Sequence, residues 1–239
     1  VTRFILATSG GFLSADRWEV MRPGPTFLRG LELTKKERPR VLFIHTASGD
    51  SSQYLSMSYQ ALADYSVDVD HLSLFPQPTR DVTESIGKAD FIWVGGGSVA
   101  NLLALWRLHG VDSAITDAWE SGTVLGGVSA GSICWHVGGP TDSFGNELSV
   151  ITNGLALLPY GNGVHYDSEA QRRPLLQKTV QNQILPLSYA TDDRIGILYE
   201  GTEPVEVITD KPELNAAAYR IELVAGEVVE TRLDVGRIK

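Results

Sequence analysis

The chain has 239 residues, an apolar fraction of 43%, a formal net charge of −9 and a single cysteine. That length and apolar content suit one large domain with a sizeable core, and Pro and Gly are too few to suggest disorder. The acidic balance speaks against a nucleic-acid or anionic-membrane surface, the lone Cys134 excludes an internal disulfide, and no apolar run is long enough to span a bilayer.

The first two-thirds alternate strand and helix signals. Arg3–Thr8 is the first apolar strand run, entered without a basic leader or cleavage site, which places the expected location in the cytoplasm. Gly10–Pro25 gives no clear element. Val41–Thr46, Val67–Leu74, Phe91–Val94 and Thr123–Gly127 are further strand runs ended by small or polar residues. Between them, "SSQYLSMSYQALADY" carries apolar residues at helical spacing after a Ser cap. "SVANLLALWRLHG" is a helix stopped by Gly110, and "VDSAITDAWESG" a second one stopped by Gly122. This β-α-β alternation predicts an α/β fold, a doubly wound, mostly parallel sheet with helices on both faces. After Asp192 the texture changes to strands spaced by turns, which predicts an antiparallel β extension over about 195–239 of the same single domain.

In open α/β sheets the reactive groups gather at the carboxyl ends of the strands. "VLGGVSAGSICW" places Ser129 there, in a Gly-x-Ser-x-Gly pattern between a strand and a helix, the context of a nucleophile elbow. A serine nucleophile needs a base. His71 lies within a strand, His109 ends a helix, and His136 sits seven residues beyond Ser129, roughly 10 Å along the expected helix. His45 closes a strand and stays open, while His165, after a Gly-rich loop in "GNGVHYDSEAQRR", is the best placed. For the carboxylate that orients the imidazole, Asp142, Glu147, Asp167, Asp192 and Asp193 compete. "VGGGSVANLL" forms a second Gly-rich strand-to-helix junction, whose Gly97 N–H pairs naturally with the Ala130 N–H as oxyanion donors. It lacks the dinucleotide fingerprint, no P-loop exists, and no Cys/His cluster suggests a metal, so no cofactor is expected. Cys134 reads as a small buried hydrophobe.

"FIWVGGGSVANLLALWRLHGVD", "LGGVSAGSICWHVGGPTDSFG" and "GVHYDSEAQRRP" together resemble the peptidase E (aspartyl dipeptidase) family of serine peptidases, which includes cyanophycinases. The resemblance covers most of residues 40–200. It implies a class I glutamine amidotransferase-like fold with Ser in place of the amidotransferase Cys. It further implies Ser129 as nucleophile, His165 as base, Asp142 as acid, and Gly97 with Ala130 as the oxyanion hole. The chain departs from the family's Gly-Gly-Gly-Asn-Thr by reading Gly97-Ser98-Val99, so Ser98 stands at the substrate-contacting position without a side-chain amide. Arg172 and Arg173 begin or flank a helix after His165, where one of them would clamp a substrate carboxylate bidentately. An Asp side chain beside the scissile bond would make an Asp-X dipeptidase, and a free peptide C-terminus a small serine carboxypeptidase. The expected partner is thus a small peptide substrate, with no nucleic acid or membrane; a homodimer and a non-catalytic binding module on the same fold are left open.

Overall fold

The structure is a computed structural model and describes residues 1–14, 20–78 and 80–238. At its centre lie parallel strands in the order Phe4–Thr8, Val124–Val128, Phe91–Val94, Arg40–Ile44 and Asp68–Leu72. Each falls within two residues of its predicted bounds. The reason is burial on both faces, which leaves near-continuous apolar runs. Phe91 and Trp93 point into one layer with Phe27, Val41 and Phe43, while Ile92 and Val94 point into the other with Ile5, Leu42, Ile44 and Leu125. Burying each such large side chain stabilises the fold by roughly 1.5–3 kcal/mol.

Helix Pro25–Leu33 covers the first layer through Phe27; helices Val99–His109 and Val111–Glu120 cover the second through Leu102, Trp106, Ile115 and Trp119. Local chemistry fixes their ends. The Ser98 hydroxyl accepts the Asn101 N–H at 3.2 Å, capping the Val99–His109 helix, and Gly110 closes it at φ 70°. Gly10–Pro25, unreadable as a pattern, contains a short hairpin of Phe12–Ser14 with Met21–Pro23; residues 15–19 lie outside the described residues.

The antiparallel strands near the C-terminus divide between two sheets. Ile195–Glu200, Glu203–Thr209 and Gly236–Arg237 extend the central sheet beyond Phe4–Thr8. Ala218–Val224 and Glu227–Leu233 instead join a second sheet, built on the parallel pair Gly161–Gly163 and Ser188–Thr191. Helix Arg172–Gln181 packs Leu176 and Val180 against Ile221 of that sheet. The helix after Ser129 is shorter than expected. It spans only Ala130–Ile133, because the chain turns through His136 into the strand Gly139–Thr141.

Candidate active site

The carboxyl ends of four adjacent parallel strands meet at one cavity of about 370 Å³. Ser9 follows Phe4–Thr8, His45 follows Arg40–Ile44, Gly95 and Gly96 follow Phe91–Val94, and Ser129 follows Val124–Val128; all line it. His165, Asp193 and Arg194 close the cavity from the second sheet.

Ser129 has φ 58° and ψ −113°, a conformation that costs an L-residue about 1–3 kcal/mol. Its N–H donates to the Thr8 carbonyl at 3.0 Å, and its own carbonyl accepts from Ser132 and Ile133 N–H at 2.8 and 3.0 Å. The flanking glycines are required by contact. A Cβ on Gly127 would collide with the Gly131 carbonyl, and a Cβ on Gly131 with the Val94 carbonyl. Such a sharp turn presents the hydroxyl at the sheet edge. Gly96 lies directly against it, since a Cβ there would sit 3.3 Å from Ser129 Cβ and 3.8 Å from its Oγ. Gly97, at φ 133°, presses on the Ala47 carbonyl. The Gly96–Gly97 peptide therefore runs past the serine, and Ala130 begins the helix on its other side.

His165 is brought in by strand register. Gly163 pairs with Ala190 in the parallel ladder, so His165 and Asp193 emerge side by side beyond the two strand ends. His165 Nδ1–H donates to Asp193 Oδ1 at 2.6 Å, which leaves Nε2 as the ring's free lone pair. The His165 main-chain N–H donates to Ser9 Oγ at 3.0 Å, and Ser9 is tied in turn to Thr191 Oγ1 at 2.6 Å. The Asp193 N–H donates to Asp167 Oδ1 at 2.8 Å. Ser129 and His165 share the cavity wall with no hydrogen bond between them; catalytic hydrogen bonds of this kind commonly tighten only around substrate.

The structure does not bring Asp142 to His165. It faces a separate surface depression with Leu148, Glu169 and Gln171, its side chain 62% exposed and its carboxylate 4.0 Å from Arg172. The carboxylate on the imidazole is Asp193, two residues beyond the end of the strand paired with Gly161–Gly163, where its side chain turns toward the ring. Asp192, one residue earlier, points the other way, accepting from Ala217 N–H at 3.0 Å and Tyr219 Oη at 3.2 Å; burial raises its pKa.

Both expected arginines also lie elsewhere. Arg172 is 2% exposed, donating from Nε to Glu169 Oε2 at 2.7 Å and from a terminal nitrogen to the Pro140 carbonyl at 2.5 Å. Arg173 is stacked between Tyr166 and Tyr219, 4.7 and 4.6 Å from the ring centres, and pairs with Glu230. Ser98 is occupied as a helix cap and does not line the cavity. Sequence reasoning missed Arg194, whose guanidinium donates to the Phe12 carbonyl at 2.8 Å on the cavity wall, and the positioning hydroxyl of Ser9. Their signal was present, for both stand at strand ends beside the site. Among the described residues no group of three or more His, Cys, Asp or Glu side chains could hold a metal, and no helix is long and apolar enough to cross a membrane.

Comparison with known proteins identifies the family. The sequence model of peptidase family S51 matches residues 5–207. The chain is 37% identical over 205 residues to an uncharacterised peptidase, YgaJ, of Bacillus subtilis, covering 86% of this chain and 87% of that one. It is 30% identical over 146 residues to peptidase E of Shewanella denitrificans, covering 56% and 59% of the two chains. A crystal structure of a peptidase from an acI-B1 Actinobacterium superposes with a TM-score of 0.72 at 16% identity, covering 99% of this chain and 96% of that one. A protein from Listeria monocytogenes EGD-e named for peptidase E superposes with a TM-score of 0.61 at 20% identity, covering 98% and 100%. With its sheet topology, its strained serine and this match over most of its length, the chain belongs to peptidase family S51 and is a peptidase, a hydrolase.

Proposed function

We propose that the protein hydrolyses short peptides by a Ser129–His165–Asp193 triad through an acyl-enzyme. The observation that carries this reading is the Nδ1–H bond to Asp193 on a histidine that shares one cavity with a serine on a strained elbow. The bond fixes the tautomer whose Nε2 can take the serine proton.

In the first half-reaction Ser129 Oγ attacks the scissile carbonyl carbon while its proton passes to His165 Nε2. The N–H groups of Gly97 and Ala130, flanking the serine, hold the developing oxyanion. The C–N bond then breaks, and His165 gives its proton to the departing amine. Water repeats the sequence on the ester, with His165 as base, releasing the acid and restoring the hydroxyl. Asp193 stays ionised throughout and stabilises the imidazolium.

The cavity suits an exopeptidase. It is small and closed on the second-sheet side, and Arg194 keeps guanidinium donors beyond the one given to Phe12 for a terminal carboxylate. Arg172 is instead a buried strut, and Arg173 a half-exposed one between Tyr166, Tyr219 and Glu230. Hydrolysis of a panel of dipeptides, blocked peptides with free C-termini and their amidated forms tests the reading. Ser129→Ala should abolish turnover of every substrate, and amidation should weaken those held by Arg194. Peptidase activity surviving in Ser129→Ala would refute it.

A further inference from the structure

The cavity at Ser129 has a wall that the triad does not use, formed by Phe12, Tyr54, Ser58 and Trp93 around the ring of His45. His45 is 7% exposed and stacks on Phe43 with ring centres 5.8 Å apart and planes 7° from parallel. Its hydrogen bonds determine which ring nitrogen carries the proton. The Ser58 hydroxyl donates its one hydrogen to the Tyr54 carbonyl at 2.8 Å, the back-bond usual for a serine inside a helix. Toward His45 Nε2, 3.1 Å away, Ser58 Oγ can then only accept, so Nε2 is the protonated nitrogen. Nδ1 is left as a lone pair. It lies against Gly95, where an added Cβ would collide with it, and among the described residues no donor reaches it. Gly95 and the serine-contacting Gly96 are consecutive, with Cα atoms about 3.8 Å apart. The acceptor therefore stands within about one residue of the nucleophile. Burial holds the ring neutral, lowering its pKa to about 4, with the charge of His71 a smaller cause.

We propose that His45 selects the side chain that enters this cavity: its unprotonated Nδ1 accepts a hydrogen bond from an uncharged donor, such as a phenol, and turns a carboxylate away. The proposal rests on the reading of Ser129 as the acylated serine and names the substrate class of that site. An aromatic side chain finds edge and face contacts on Phe12, Tyr54 and Trp93. A carboxylate meets a lone pair where it needs a donor and loses its water against aromatic walls, the costly case of an unpaired buried charge. Arg194, on the Asp193 loop, gives one donor to the Phe12 carbonyl and its others to the terminal carboxylate of the substrate, which leaves none for a side-chain carboxylate at His45. The selected residue is the one that acylates Ser129, and its preferred form is tyrosine-like, with phenylalanine second and aspartate excluded.

The test compares kcat/KM for X-Leu dipeptides and acetyl-Ala-X-Leu peptides, with X as Tyr, Phe or Asp, alongside fluorophosphonate labelling of Ser129. The Tyr peptide should exceed the Phe peptide by about tenfold, the yield of one neutral hydrogen bond. Both should exceed the Asp peptide by about a hundredfold or more. His45→Phe should draw the Tyr-to-Phe ratio toward one. Should that variant not fold, Gly95→Ala, which puts a methyl group where Nδ1 now lies, should do the same. The ¹⁵N spectrum of the unaltered enzyme should show His45 Nδ1 unprotonated. Asp peptides cleaved as fast as Tyr peptides, a ratio indifferent to both variants, or a protonated Nδ1 would each overturn the proposal. If Ser129 takes the label while the panel favours Asp, or none of the panel is cleaved, the inference fails and the serine-peptidase reading stands. No label and no hydrolysis removes both.

Discussion

Replacing Asp193 by Asn probes the site where sequence and structure part company. The present carboxylate can only accept, so the ring is held with its proton on Nδ1, 2.6 Å from Oδ1. An asparagine amide turns its NH₂ toward Nδ1 and thereby favours the proton on Nε2, which then has no lone pair for the serine proton. A wrong tautomer of this kind costs about ten-thousand-fold in turnover. At 1.36 kcal/mol per decade that is about 5.5 kcal/mol of transition-state stabilisation. The fold should hardly respond, because the Asp193 side chain is 41% exposed and its bond to Asp167 uses the main chain. The assay is kcat on a cleaved peptide, with denaturant unfolding to confirm stability within about 1 kcal/mol. Asp142→Asn is the control: at 62% exposed it should leave kcat within about twofold. Turnover of Asp193→Asn within tenfold of the parent, or a thousand-fold loss in Asp142→Asn, would refute the assignment.

Stability should fall on mild acidification. His45 and His136 are both buried neutral, with pKa values lowered to about 4, chiefly by burial, from an ordinary 6.5. The unfolded chain therefore binds more protons between pH 6.5 and 4, so stability is greatest above 6.5 and declines below it. From pH 6.5 to 5 the loss is about 1.5 kcal/mol per histidine, read from urea midpoints; a flat profile over that range would contradict it. Arg172→Met should lower stability by about 2–4 kcal/mol by stripping the Glu169 carboxylate and Pro140 carbonyl of their donor, while KM for small peptides stays near the parent value. A large KM increase in a well-folded variant would return Arg172 to the substrate. Cys134, fully buried with its thiol pKa pushed well up, should resist alkylation until the protein unfolds; rapid modification of the native enzyme would show the elbow helix to be open.

The sheet was legible in the sequence because its strands are buried on both faces, so that Val41–Thr46 and Phe91–Val94 needed no context to stand out. Ser129 was legible because a tight strand-to-helix turn demands glycine on both sides. The partner of His165 was not. It depends on a ladder between Gly161–Gly163 and Ser188–Thr191, and a Gly-Asn-Gly strand carries no propensity signal. Without that register Asp142, Asp192 and Asp193 are equivalent as letters. Arg172 misled for a related reason: at a helix start it reads as solvated or substrate-facing, and only the approach of Glu169 and the Pro140 carbonyl explains its burial. His45 lay undecided because the proton on a histidine is set by its neighbours, here the Ser58 back-bond to Tyr54.

The most direct measurement of the central claim is the site of covalent capture. Fluorophosphonate-treated protein, digested and mapped by mass spectrometry, should carry one adduct per chain, on Ser129, formed in step with loss of peptidase activity. The Ser129→Ala protein should take up no adduct and hydrolyse no peptide, a loss on the order of a million-fold in turnover. An adduct on another residue, or peptide hydrolysis that persists in Ser129→Ala, would contradict the account.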